Sequence, residues 1–333
     1  MISAETSEGR IGRDVESRIV RYEALRPCLN AFIDTRSPGS DRKENFTIIG
    51  PGVSENPNQH VHISEPHGFN IGGARQPPGC LNSQHSHDTA EVFYAHSGQW
   101  RFMTGEAATD GEVHLAPGDL ISIPTRLFRG FENVGDSSGF LWAVLGGDDP
   151  GHVLWAPYVF ELADEYGLVL LEDGQLVDTR NGELVPAHKR RMQKTTRQQV
   201  AALQQADSSA LANCVVRSAS PRPDGEFAAL QGVTHRQLVG SAPLDWAHGF
   251  QISEVRLTRG SAIRSHVLGV PDVWFVHRGL IRGSLDGQSF QCGPGATITV
   301  PAGARRTLEN AGQEDAEVVL VRGGDAPSPA VWS

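Results

Sequence analysis

Cysteine is scarce and scattered in this chain. Its four residues, Cys28, Cys80, Cys214 and Cys292, form no CxxC pair. That spacing gives no basis for a zinc ribbon or a disulfide framework and fits a reducing cytoplasm. Long apolar runs are missing as well. No stretch reaches the roughly 18 apolar residues of a membrane span, and the polar start MISAETSEGRIGRDVE lacks the apolar segment of a signal peptide. A basic surplus is also absent: 29 Lys and Arg stand against 39 Asp and Glu, for a net charge of −10. Nucleic acid and acidic membrane surfaces both call for basic patches, so neither is an expected partner. The one dense basic run, Lys189-Arg190-Arg191 continuing to Lys194 and Arg197, reads as a solvated stretch of linker.

What the chain has in quantity is turn-forming residues, with 37 Gly and 20 Pro in 333 residues. That suits many short strands, in a length sufficient for two ordinary domains. From Phe46 to about Gly147, short apolar runs alternate with Gly and Pro: FTIIG, VHI, FNIGGA, VFYA, WRFM, EVHL, LISI and GFLWAVLGG. The pattern is all-β. Before it, residues 12–27 carry Ile19, Val20, Tyr22 and Leu25 near helical spacing, which predicts a short amphipathic helix ended by Pro27. After it, residues 157–165 predict a helix with proline in its first turn. Residues 168–185 read as strand–turn–strand, and 195–206 as a helix with a threonine cap. The expected organisation is an N-terminal arm over 1–45, a first barrel over 46–150, a connector over 151–210 and a second barrel over 211–333.

The chemistry concentrates between Gly79 and Gly98. His85 and His87 are two apart, so on a strand they point to one face. Glu91 opens the next strand four residues later. Two imidazoles and a carboxylate converging with open positions suit non-haem Fe(II), and also Mn, Ni or Zn. The spacing G-x5-H-x-H-x3-E-x6-G resembles the first signature motif of the cupin superfamily. The second motif resembles Gly118–Asn133, with Gly118, Pro124 and Asn133 in place. Arg126 stands where that motif has glycine, and Arg129 where it has a further histidine ligand.

Both motifs recur. Residues 260–279 keep His266 but replace the second histidine by Leu268 and the glutamate by Asp272. Residues 295–310 keep the second motif, with Gly303 at its glycine and Arg306 again in place of histidine. The resemblance, over about 46–147 and 250–323, implies a bicupin: two β-barrels in tandem, the first holding metal through His85, His87 and Glu91. The second would be a degenerate copy around His266, Asp272 and Arg306.

Arg129 has two readings. It is either a barrel-lining residue paired with an acid such as Glu91 itself, or a clamp for a substrate carboxylate near the open metal face. Strand parity nominates Arg75, Phe93, Trp100, Phe102, Phe131 and Trp142 as walls of a substrate pocket, with barrel core as the plain alternative for each. His60 and His62 share a face without a carboxylate at useful spacing. His96 is expected to point outward and His152 to sit in a surface loop.

The leading expectation is an Fe(II)-dependent dioxygenase using O2 on a small aromatic or other organic acid, by analogy with the gentisate, homogentisate and quercetin-cleaving families. A metal-dependent isomerase, lyase or decarboxylase, as in oxalate-type bicupins, is the second enzyme reading. A non-catalytic small-molecule-binding bicupin is the third. A homo-dimer or higher homo-oligomer, paired through edge strands and the arm, is expected.

Overall fold

The computed structural model describes residues 14–221 and 223–333. The chain folds as two β-barrels, each made of two sheets packed face to face. In the first barrel a seven-stranded sheet runs, in spatial order, Val215–Val216, Leu120–Ile123, Glu91–Ser97, Gly139–Gly146, Phe69–Gln76, Glu44–Ile49 and Val61–Ile63. It faces a five-stranded sheet of Leu154–Trp155, Leu81–Ser86, Arg129–Asn133, Trp100–Thr104 and Gly111–Leu115. The second barrel repeats this with six and five strands. Among the described residues no helix is long and apolar enough to cross a membrane.

Alternation along the strands sorts side chains into two cores. In Glu91–Ser97, Phe93 and Ala95 turn into the barrel beside Phe102, Phe131 and Leu141. Val92 and Tyr94 turn out instead, into a cluster that also contains Trp142, Val144, Phe250, Ile252, Phe275 and Val319. That outer face is the junction between the barrels. Both contributing sheets are apolar on their two faces, which is how strands buried on both sides read. Trp142 stacks on Phe275 with ring centroids 4.7 Å apart and donates from Nε1 to the Thr297 hydroxyl. His96 points into the same junction rather than to solvent. Its Nδ1 lies 3.3 Å from Nδ1 of His277, and burial pulls the pKa of His96 down to about 4 and that of His277 to about 3.

The two ends of the expected arrangement differ from the sequence reading. Residues 1–13 lie outside the described residues, and 14–27 do not form an amphipathic helix. They make a short 3-10 turn at Val15–Arg18, a strand at Ile19–Val20 and a second turn at Tyr22–Ala24. Ile19 and Val20 pair with Ile298 and Thr297 at the edge of the second barrel's sheet. Two β-branched residues at an open sheet edge gain more from ladder hydrogen bonds than from an isolated turn of helix. In the opposite sense, Val215–Val216, assigned by sequence to the second barrel, pairs with Ile121 and Leu120 of the first. Each barrel thus borrows an edge strand from chain outside its own motif.

The connector holds the helix Pro157–Tyr166, as the proline spacing predicts, closed by Gly167 in a left-handed cap. The predicted hairpin forms as Leu168–Leu170 against Leu176–Asp178. The longer helix expected over 195–206 is a five-residue helix, Arg197–Ala201, with a Thr196–Gln199 capping box.

Candidate metal centre

His85 and His87 extend from the end of the strand Leu81–Ser86, and Glu91 begins the neighbouring sheet's strand. The segment between crosses from one sheet to the other and turns all three side chains into the same mouth. Their nearest ligand atoms lie within 4.8 Å of one another and all three residues are buried. The spacing fits one divalent ion held by two nitrogens and an oxygen.

The hydrogen bonds prepare two of these groups for that role. His85 Nδ1 lies 2.7 Å from the Ser83 carbonyl. Nδ1 therefore carries the proton, and the Nε2 lone pair is left for a ligand. The ring also packs against Trp155, centroids 5.2 Å apart. His87 is buried, and its Nε2 is 3.9 Å from Glu91 Oε1. Burial, with the nearby Arg129 charge second, holds both imidazoles well below their ordinary pKa, so both are neutral at physiological pH.

Arg129 takes the paired reading. Its guanidinium is 2% exposed, donates to the Glu91 carboxylate from Nη2 and to the His85 carbonyl from Nη1 at 3.0 Å. It stands behind Glu91 and is not among the walls of the cavity in front of the triad. The salt bridge orients the carboxylate, leaves Oε1 on the histidine side, and cancels the Glu91 charge.

That cavity measures about 70 Å³, and Phe93, Phe131, Ala143 and Leu145 line it beside the triad. Of the other pocket residues expected from parity, Trp100 and Phe102 sit deeper in the barrel core. Two expectations are corrected. Trp142 faces the junction with the second barrel, because Leu141, Ala143 and Leu145 are the inward members of its strand. Arg75 points away from the cavity that its neighbour Ala74 lines; it pairs with Glu44 and lies over the rings of Tyr22 and Phe46.

Sequence reasoning missed several walls because they come from outside the motifs. Phe32 and Cys28 arrive from the arm, and Val153 and Trp155 from the segment after the barrel. Trp155 is fixed by Glu55, which accepts from Trp155 Nε1 at 2.6 Å and from the Ile33 amide at 2.7 Å. Burial pushes the Glu55 carboxyl up to about 8. The arm is anchored by a fully buried ion pair of Lys43 with Asp34, which also bonds the Ser83 amide. No periodicity marks these contacts; they are long-range. His62, by contrast, spends its ring on the Thr47 carbonyl and the Arg26 amide.

In the second barrel Arg306 pairs with Asp272 as Arg129 does with Glu91, but Trp274 Nε1 donates to the other Asp272 oxygen at 2.8 Å. His266 Nδ1 meets the Arg264 carbonyl, and buried Leu268 fills the place of His87. Both carboxylate oxygens are thereby committed to protein donors.

A family profile described as "Cupin domain" matches residues 74–145. No curated protein sequence matches the chain. Solved structures similar to it include three of oxalate decarboxylase, the first two from Bacillus subtilis. One concerns that enzyme's Mn(II) centres (TM-score 0.59, covering 95% of this chain and 79% of that one). Another was determined at pH 4.6 (0.59, 95% and 78%). The third addresses its substrate binding mode and reaction specificity (0.58, 95% and 79%). Identity is 14% in each case, a level that shows the fold. Residues 74–145 are thus a cupin domain, and the chain as a whole has the two-barrel fold of the bicupins.

Proposed function

We propose that the protein is a divalent-metal-dependent enzyme acting on a small organic acid, and that it removes a carboxylate as CO2. The observation that carries this reading is the charge balance of the site. His85 and His87 are neutral, and Arg129 cancels Glu91. A divalent ion at the triad therefore brings two uncompensated positive charges into a buried, largely apolar cavity. Anionic ligands offset such charge; neutral ones do not. The small cavity favours a compact acid over a large aromatic substrate.

When bound, such an ion supplies stabilisation for negative charge that develops on the acid. The chain's own groups do the rest. Ser83 fixes the His85 ring through its carbonyl, Arg129 fixes the Glu91 carboxylate, and Phe93 and Phe131 keep water away from the acid's carbon. Loss of CO2 leaves the electron pair of the broken C–C bond on that carbon, which then takes up a proton. The Mn(II) centres of the fold neighbour that acts on oxalate support a decarboxylase over an oxygenase, and Mn over Fe.

The Fe(II) dioxygenase remains the second reading, because a two-His, one-Glu set leaves ligand positions for O2 as well as substrate. Metal content of chelator-free protein, followed by parallel CO2-release and O2-uptake assays, separates the two. Manganese with CO2 release and no O2 consumption is the expected result. Iron with O2 uptake on an aromatic acid overturns the decarboxylase reading, and a folded protein that takes up no divalent metal overturns both.

A further inference from the structure

Arg126 holds a backbone conformation that favours glycine. Its φ is 58°, and the same place in the second barrel is Gly303, with φ 79°. The two turns are built alike: the Arg126 amide donates to the His87 carbonyl at 2.8 Å, and the Gly303 amide to the Leu268 carbonyl at 2.8 Å. The turn works without a side chain in one copy. In the other it carries an arginine at a conformational cost.

The Arg126 side chain lines a chamber of about 390 Å³ at the mouth of the first barrel, with Asp88, His152 and the connector residues Gln199 and Leu203. His87 belongs to the walls of both this chamber and the inner cavity. His87 is the one lining residue the two share. The guanidinium makes one contact among the described residues, Nη2 to the Ala202 carbonyl at 3.5 Å, and no carboxylate is paired with it. Arg129, by contrast, is consumed by Glu91. The chamber therefore presents a planar set of donors with no carboxylate paired to it, beside the candidate ligand His87, and Asp88 is the one acid among its lining residues.

We propose that this chamber is the outer subsite for a dicarboxylic acid, with one carboxylate toward the His85–His87–Glu91 centre and the other held by Arg126. Arg126 is then the residue that selects dicarboxylates over monocarboxylates. The proposal rests on the metal-and-acid reading above. A guanidinium suits the distal carboxylate because its fork donates two parallel hydrogen bonds.

The test is calorimetric titration of the Mn(II)-loaded full chain with malonate, succinate and glutarate, and with butyrate as a monocarboxylate, for wild type, Arg126→Gly and Arg126→Lys. At least one dicarboxylate is expected to bind about tenfold more weakly to Arg126→Gly, with Arg126→Lys between and butyrate unchanged. Because glycine suits the left-handed turn, the thermal midpoint and metal content of Arg126→Gly are expected to match or exceed wild type. Equal dicarboxylate affinity in wild type and Arg126→Gly overturns the subsite and leaves the metal-and-acid reading standing. A parallel loss of butyrate binding, metal and thermal stability in Arg126→Gly overturns it too, by making Arg126 a structural residue. Wild type that binds none of these acids overturns both.

Discussion

Arg129→Met removes the cation from the buried pair with Glu91 while keeping most of the side chain's volume. Glu91 is 5% exposed and Arg129 2%. Without Arg129 the carboxylate is an uncompensated charge in the barrel mouth, and breaking one partner of a buried pair costs about 3–5 kcal/mol. That is a large part of the roughly 5–15 kcal/mol that holds a typical protein folded. A divalent ion changes the outcome, because it gives Glu91 Oε1 an opposite charge and stabilises the folded state by mass action. The matched variant Arg306→Met exposes Asp272 to the same loss, but Trp274 still donates to that carboxylate and Leu268 offers no ligand. Urea unfolding of both variants, in EDTA and in excess Mn(II), reads the difference. Arg129→Met is expected to lose about 3–5 kcal/mol in EDTA and to regain at least about half of that with the ion. Arg306→Met is expected to respond no more to Mn(II) than its unaltered first barrel allows. A loss for Arg129→Met that is the same with and without metal, or one below about 1 kcal/mol, would refute the reasoning.

Glu91→Gln is expected to abolish metal retention and Asp272→Asn to leave it intact, as measured by elemental mass spectrometry of both variants. Trp142→Ala should destabilise by about 3–5 kcal/mol yet keep full metal content, since its ring stacks at the junction; metal loss there would return it to the pocket. Half-buried His96 and buried His277 give the fold an acid limit. Their folded pKa values lie below the unfolded value of about 6.5, so the unfolded chain binds more protons and stability falls as pH drops from there toward about 4 and about 3. By linkage the shift amounts to about 3 kcal/mol at His96 and about 5 kcal/mol at His277. Denaturant midpoints at pH 7 and pH 5 should differ, and a His96→Phe/His277→Phe protein should show a flatter profile; an unchanged slope would contradict the assignment.

The glycine-bounded motifs made the barrels, the triad and the degenerate copy legible, because each fixed residue answers a local demand. His85 and His87 sit two apart on a strand, and Gly79 and Gly98 have positive φ at 68° and 87°. Trp142 faces away from the pocket, which its strand pattern does not show, because period-two alternation tells which residues share a face but not which face is the barrel interior when both are buried. The same holds for Arg75, one residue out of step with Ala74. Residues 12–27 read as a helix because Ile19, Val20, Tyr22 and Leu25 satisfy a helical stripe by count; the edge that claims Ile19 and Val20 lies almost 280 residues further along the chain. Phe32, Trp155 and Glu55 at the centre carry no signal in any local window.

The exchange of edge strands constrains how the chain can be made as well as how it stands. During synthesis Ile19 and Val20 emerge long before their partners Thr297 and Ile298. The first barrel likewise waits for Val215 and Val216 before its sheet is complete. An unpaired edge is a template for pairing with other chains, so a ribosome-bound or truncated product ending before residue 215 carries an open edge on each account. The candidate metal centre lies upstream of the connector, but its sheet closes only after the connector has been translated, and the Ile19–Val20 strand finds its place only when the second barrel is there to receive it.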